Sequence, residues 1–271
     1  MAAVTDRGCD ERRVTESVEF RFYAELNRFL SPSHRQCSFG YPLSRDATVK
    51  HMIEVLGVPH TEVGLILADG ESVDFSFRLH EGMRVSVYPY FSTLDITDLT
   101  RVRVAPPREV KFIADAHLGQ LAKNLRMLGF DVVYRNDYSD AEIARIAVAE
   151  ERIVLTRDRD LLIRKEIVRG CYLHSVASDC QVVEVVARFD LNDCACALSR
   201  CLNCNGLLRH VEKDEVADRV PYHSHRIYDR FLECDACARV YWEGSHVTRM
   251  RQRIADMLEL CQARYGGGAA A

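Results

Sequence analysis

Lys111-Phe112-Ile113-Ala114-Asp115-Ala116-His117-Leu118-Gly119 runs a short apolar strand into an aspartate and then into helix-forming sequence. The strand is expected over 110–114. The helix is expected over 118–128, with apolar residues at 118, 121, 125 and 128 on one face. The same rhythm continues outward. A strand over 131–134 is followed by a helix over 141–150 that Ser139 or Asp140 would cap. Then come a strand over 153–156, a short helix over 161–168, a strand over 171–176 and a helix over 181–189. Strands alternating with helices predict an α/β unit around a parallel sheet.

Upstream the rhythm differs. Val18-Glu19-Phe20-Arg21-Phe22 alternates with period two, as a half-buried strand does. Residues 47–57 place apolar side chains at 49, 52, 53 and 56 and stop at Gly57, as an amphipathic helix does. Residues 65–71 read as a strand entering an Asp-Gly turn, and 85–90 as a closing strand. A hairpin, one helix and further strands in this order resemble the ubiquitin-like β-grasp fold. Pro106-Pro107 reads as a stiff linker. The expected organisation is a disordered tail over 1–15, the β-grasp domain over 16–105 and the parallel-sheet α/β domain over 108–195. A small zinc ribbon over 196–250 and a C-terminal helix or flexible tail over 251–271 would follow.

The chain has 271 residues, 48% hydrophobic and 28% charged, with a net charge of −4. Such a composition excludes wholesale disorder. No apolar run approaches the ~18 residues that a membrane span needs, so no membrane role is expected. The charged N-terminus lacks the apolar centre of an export signal. Eleven cysteines without such a signal argue for metal binding over a disulfide framework, and for a reducing, cytoplasmic setting. The acidic balance leaves room for a local basic face.

Two strands end in aspartate, at Asp115 and Asp158, and Asp160 follows two residues later. In a parallel sheet the C-terminal strand ends share one edge, where sites form. Asp140, at a helix start beyond another strand, can approach the same rim. Four carboxylates crowded there repel one another unless a cation sits among them. Oxygen ligands without His or Cys suit magnesium or manganese, and two such ions could clamp a phosphodiester displacement. The bland alternative makes these aspartates helix N-caps. Asp137 reads as a turn residue, and His117 as a structural neighbour of Asp115.

Cys201-x2-Cys204 and Cys234-x2-Cys237, separated by 29 residues, have the spacing of a structural zinc site. Cys194 and Cys196 read as spectators. Residues 219–253 hold seven arginines against four acids, interleaved with aromatic residues. This composition suits phosphate contact and base stacking, or else a solvated ribbon surface. Arg249, Arg251 and Arg253, with Lys123 and Arg126 on the helix after Asp115, are the RNA-binding candidates.

The segments 111–119, 121–131 and 155–161 resemble the Mut-seven C-terminal domain family. So do Arg200-Cys201-Leu202-Asn203-Cys204-Asn205-Gly206 and Tyr241-Trp242-Glu243-Gly244-Ser245-His246. The resemblance implies a PIN-like ribonuclease fold with an appended zinc ribbon, preceded in some members by a ubiquitin-like β-grasp. It implies metal-dependent RNA cleavage with Asp115, Asp140, Asp158 and Asp160 at the acidic positions. The expected partner is RNA, with tRNA and ribosome-associated RNA as candidates, and the β-grasp is expected to dock protein or RNA. Two other readings compete. One is an RNA- or ribosome-associated binding protein without activity. The other is a sulfur-carrier role, which would need a Gly-Gly end to the β-grasp that residues 90–107 lack.

Overall fold

A computed structural model of the chain describes residues 17–44, 46–90, 96, 98–102, 109–191, 198–242, 244, 248–249, 252–253, 255–256 and 259. The expected N-terminal tail, residues 260–271 of the expected C-terminal one, the Pro106-Pro107 linker, Cys194, Cys196 and Arg251 lie outside these residues.

The N-terminal unit contains β1 (Ser17–Phe22), β2 (Phe39–Pro42), α1 (Val49–Val55), β3 (Val63–Ala68), β4 (Glu71–Ser72) and β5 (Arg84–Pro89). Val18, Phe20 and Phe22 point inward along β1, as the alternation required. They pack on Val49, Met52 and Ile53 of α1, whose N-terminus Thr48 caps through the His51 N–H. The sheet order is β2-β1-β5-β3-β4, with β1 and β5 parallel and every other pair antiparallel. This is the β-grasp arrangement.

The middle unit begins with β6 (Lys111–Ala114), α2 (Gly119–Met127), β7 (Asp131–Tyr134) and α3 (Asp140–Ala149). It continues with β8 (Ile153–Thr156), α4 (Arg159–Ile163), β9 (Gly170–Tyr172) and α5 (Ser178–Arg188). All four strands are parallel, in the order β7-β6-β8-β9. One face packs against α2 and α5, through residues such as Leu121, Leu125, Val182 and Val186. The other face meets α3 and α4 through Ile143, Ile146, Leu161 and Leu162. Covered on both faces, β8 is buried at every position, which explains its unbroken apolar reading. The helix expected from Leu118 begins one residue later, because Ala116–Leu118 forms a 3-10 turn capped by Asp115.

The third unit is a meander of β10 (Leu208–Val211), β11 (Phe231–Cys234) and β12 (Val240–Trp242), with α6 (Tyr222–Ile227) between its first two strands. Its small core is Val211, Val216, Val220 and Phe231, with Trp242 packed against it.

Both edges of the parallel sheet are closed by side chains from the flanking units. On the outer side of β7 the Val132 N–H donates to Asn205 Oδ1 at 3.0 Å. Beyond β9 the Tyr172 N–H donates to Glu62 Oε1 at 2.8 Å. Each carboxamide or carboxylate oxygen satisfies one edge N–H that a neighbouring strand would otherwise pair. The Glu62 contact belongs to a buried joint. Arg188 reaches Glu62 at 3.4 Å and lies 4.1 Å above the Tyr90 ring, and Phe29 meets Tyr172 edge-on. Burial pushes the Glu62 carboxyl above its ordinary range, against the pull of Arg188 and of the Tyr172 N–H.

Candidate active site and zinc knuckles

The chain leaves β6 for β7 on one side and returns through α3 to β8 on the other. The C-terminal ends of β6 and β8 therefore flank the point where strand order reverses, the usual place for a site in an open parallel sheet. Asp115 follows β6 and Asp158 follows β8. Asp115, Asp140, Asp158 and Asp160 line one cleft of about 560 Å³, together with His117, Tyr138, Arg157 and Arg159. Asp140 reaches the rim because α3 starts there. Its N-cap is Ser139, whose hydroxyl accepts from the Glu142 N–H while the Glu142 carboxylate accepts from the Ser139 N–H.

Two of the acids are helix caps, as the bland alternative expected. Asp115 Oδ1 accepts from the Ala116 N–H at 2.6 Å, and Asp158 Oδ1 from the Asp160 N–H at 2.8 Å. Thr156, buried at the end of β8, is the residue that sequence reasoning missed. Its hydroxyl donates to Asp115 Oδ2 at 2.7 Å and accepts from the Asp158 N–H at 2.9 Å, tying the two strand ends together. A threonine in an apolar strand gave no signal beyond its place before Arg157-Asp158. Asp137 pairs with Arg135 on the surface, as a turn residue would. His117 is exposed at the cleft mouth.

Gly119 is required where α2 begins. A Cβ there would sit 2.6 Å from the Tyr134 hydroxyl, which itself donates to the Ala116 carbonyl. Tyr134 thus closes over the start of the helix that follows Asp115.

The four cysteines Cys201, Cys204, Cys234 and Cys237 bring their sulfurs within 4.8 Å of one another. Among the described residues no three of the cleft carboxylates approach so closely. The Cys201–Cys237 and Cys204–Cys234 sulfur separations are 3.7 and 3.4 Å. Those spacings are far too long for disulfides and near the ~3.8 Å edge of a tetrahedron with ~2.3 Å zinc–sulfur bonds. Gly206 gives the knuckle room, since a Cβ would meet Cys234 Sγ at 2.8 Å. Burial resists ionisation of Cys201, yet the Tyr241 hydroxyl and the N–H groups of Cys204 and Asn203 hold its thiol down to about 6. Burial pushes Cys204 up to about 12. One thiolate forms readily and its neighbour resists, the behaviour of a crowded anionic set that a cation would complete.

Of the RNA-binding candidates, Arg126 is a correction. It is 3% exposed, and its guanidinium donates to the carbonyls of Val132, Leu202 and Asn203 at 2.8–3.1 Å. It fastens the first zinc knuckle to the sheet and is not presented to phosphate. The helix face expected to be open is covered because the knuckle docks on it. Lys123 and Arg249 are exposed, and Arg253 pairs with Asp179 at 2.6 Å. Arg219, counted among the basic residues, is engaged by Glu233.

A β-grasp unit, a parallel α/β unit with an acidic cleft at its switch point and a four-cysteine module make up the described chain. Residues 110–254 match the Mut7-C RNAse domain, and residues 15–95 match the Mut7-C ubiquitin domain. With more than half its length matched by the first, the chain belongs to the Mut7-C RNAse domain family. No curated protein and no solved structure matches it.

Proposed function

We propose that this chain is a metal-dependent ribonuclease that hydrolyses RNA phosphodiester bonds in the cleft of Asp115, Asp140, Asp158 and Asp160. The observation that carries this reading is the convergence of all four acids on one cleft at the switch point of a Mut7-C RNAse domain. The donors are carboxylate oxygens, with no sulfur or imidazole inside the group. Such a set fits magnesium or manganese. The four acids would hold the ion, which when bound supplies charge stabilisation for the phosphoryl oxygens and a more acidic water.

The chain's own groups do the positioning. Thr156 fixes the Asp115 carboxylate, and the cap bond of Asp158 fixes a second one before RNA arrives. Arg157 and Arg159 also line the cleft, and a guanidinium turned toward the acids would receive a phosphate that they alone would repel. Zinc at Cys201, Cys204, Cys234 and Cys237 has a structural role, since all four tetrahedral positions are filled by protein. The described cysteines form no disulfide, and among the described residues no helix is long and apolar enough to cross a membrane. Both facts suit work in the reducing cytoplasm on RNA, tRNA and ribosome-associated RNA included.

The test is incubation of total RNA with the protein in magnesium, in manganese and in EDTA, followed by mapping of new ends. Cleavage is expected with either ion and not with EDTA. Asp158→Asn is expected to abolish it while the protein keeps its melting transition. Undiminished cleavage by that variant sinks the site assignment.

A further inference from the structure

We propose that single-stranded RNA runs from the carboxylate cleft along α2 into a second, basic groove that α2 builds jointly with the zinc module. This rests on the ribonuclease reading for the class of ligand. The groove holds about 480 Å³, and among the described residues its lining includes Lys123, Arg239, Arg249 and Arg253 and no carboxylate. On a chain of net charge −4 that is a local reversal of sign. Its walls come from distant parts of the sequence: α2, the first knuckle at Leu202 and Asn203, the segment beside Cys237 at Arg239, and helical backbone at 249 and 253. Asp179 pairs with Arg253 and accepts from the Asn124 amide.

Continuity with the cleft is the second observation. His117 lines the cleft, Gln120 and Lys123 line the groove, and all three are exposed. Gln120 and Lys123, three residues apart, lie on one side of α2, and His117 sits in the 3-10 turn just before it, so the three span on the order of 10 Å. A strand of a few nucleotides spans that distance without leaving the polar stripe. Asn203 and Gln120 add amide donors for phosphate or sugar oxygens. Arg126 acts from beneath as a positioning residue, because its bonds to the Leu202 and Asn203 carbonyls set the knuckle wall.

The experiment is a fluorescence-anisotropy titration of labelled single-stranded RNA, in buffer without magnesium, manganese or chelator, at several salt concentrations. Wild type is compared with a triple variant, Lys123→Ala, Arg239→Ala and Arg249→Ala, three exposed positions. Three lost phosphate contacts should reduce the slope of log affinity against log salt by about 2, and weaken binding about a hundredfold at 0.1 M salt. The loss should be similar for different sequences. An unchanged slope and affinity overturns the proposal. Should the triple variant lose zinc or its melting transition, Lys123→Glu, on α2 and away from the knuckles, decides by the same slope. Poly-glutamate that binds as tightly as RNA, with the same sensitivity to substitution, overturns RNA as the occupant. RNA cut by wild type while the variants keep the full slope removes the groove and leaves the nuclease. A groove-dependent slope without any cleavage supports the groove and removes the nuclease.

Discussion

Thr156 carries a hydrogen bond in each direction between the two strand ends that bear the acids. Thr156→Val keeps the shape of a buried side chain and deletes both bonds. Partners that orient metal-holding carboxylates typically contribute a factor of ~10–100 to metal affinity or activity. A manganese titration of cleavage should show a weakening of that order, and an unchanged titration removes Thr156 from the site. Gly119 supports a different test. Gly119→Ala forces a Cβ into the Tyr134 ring and hydroxyl, and overpacking of this kind costs about 1–3 kcal/mol. A thermal melt should show the loss, and Tyr134→Ala added to the same chain should recover part of it.

At the scale of elements, the edge strand β7 and the first zinc knuckle hold each other through Arg126, Asp131 and Asn205. Arg126→Ala leaves the buried Val132 carbonyl and the half-buried Leu202 and Asn203 carbonyls without their donor, at about 2–4 kcal/mol. Weaker zinc retention in a competition with a chelator should accompany the lower melting point. Asp131 adds a pH dependence. Burial opposes its ionisation, and the bonds from Arg152 and Asn205, with Arg200 nearby, more than offset this and hold the carboxyl below its ordinary value. A folded-state value below the unfolded one gives stability that is present above about pH 4 and disappears as pH falls through the lower folded value. Asp131→Asn should therefore melt lower at neutral pH and show a shallower decline in melting temperature below pH 4. A parallel decline in both proteins rules out Asp131 as a source of the acid sensitivity.

For the whole molecule, the parallel sheet depends on its neighbours at both edges. The β-grasp closes β9 through Glu62 and the knuckle closes β7 through Asn205, so the flanking units complete the sheet. A fragment of residues 109–191 alone exposes both edges. It should lack a sharp melting transition and self-associate, whereas the full chain melts cooperatively. Light scattering and a melt of the two side by side check this, and a monomeric, cooperatively melting fragment overturns it.

Local pattern was enough for the order of elements, because strand and helix periods are written in adjacent residues: 131–134 and 153–156 emerge where the alternation put them. It was enough for the four cysteines, whose spacing is a local property of each knuckle, and for the strand-end acids, since parallel order places such ends on one rim. The sequence could not reveal which surfaces would be covered. Arg126 carries the mark of an exposed helix face, and the Val132 carbonyl together with a knuckle more than seventy residues away turns it inward. Thr156 and Glu62 likewise gain their roles from partners 41 and 110 residues distant. Periodicity records whether a side chain faces a core; it holds no information about which distant segment arrives on the other side. That depends on long-range packing, which the tertiary structure alone decides.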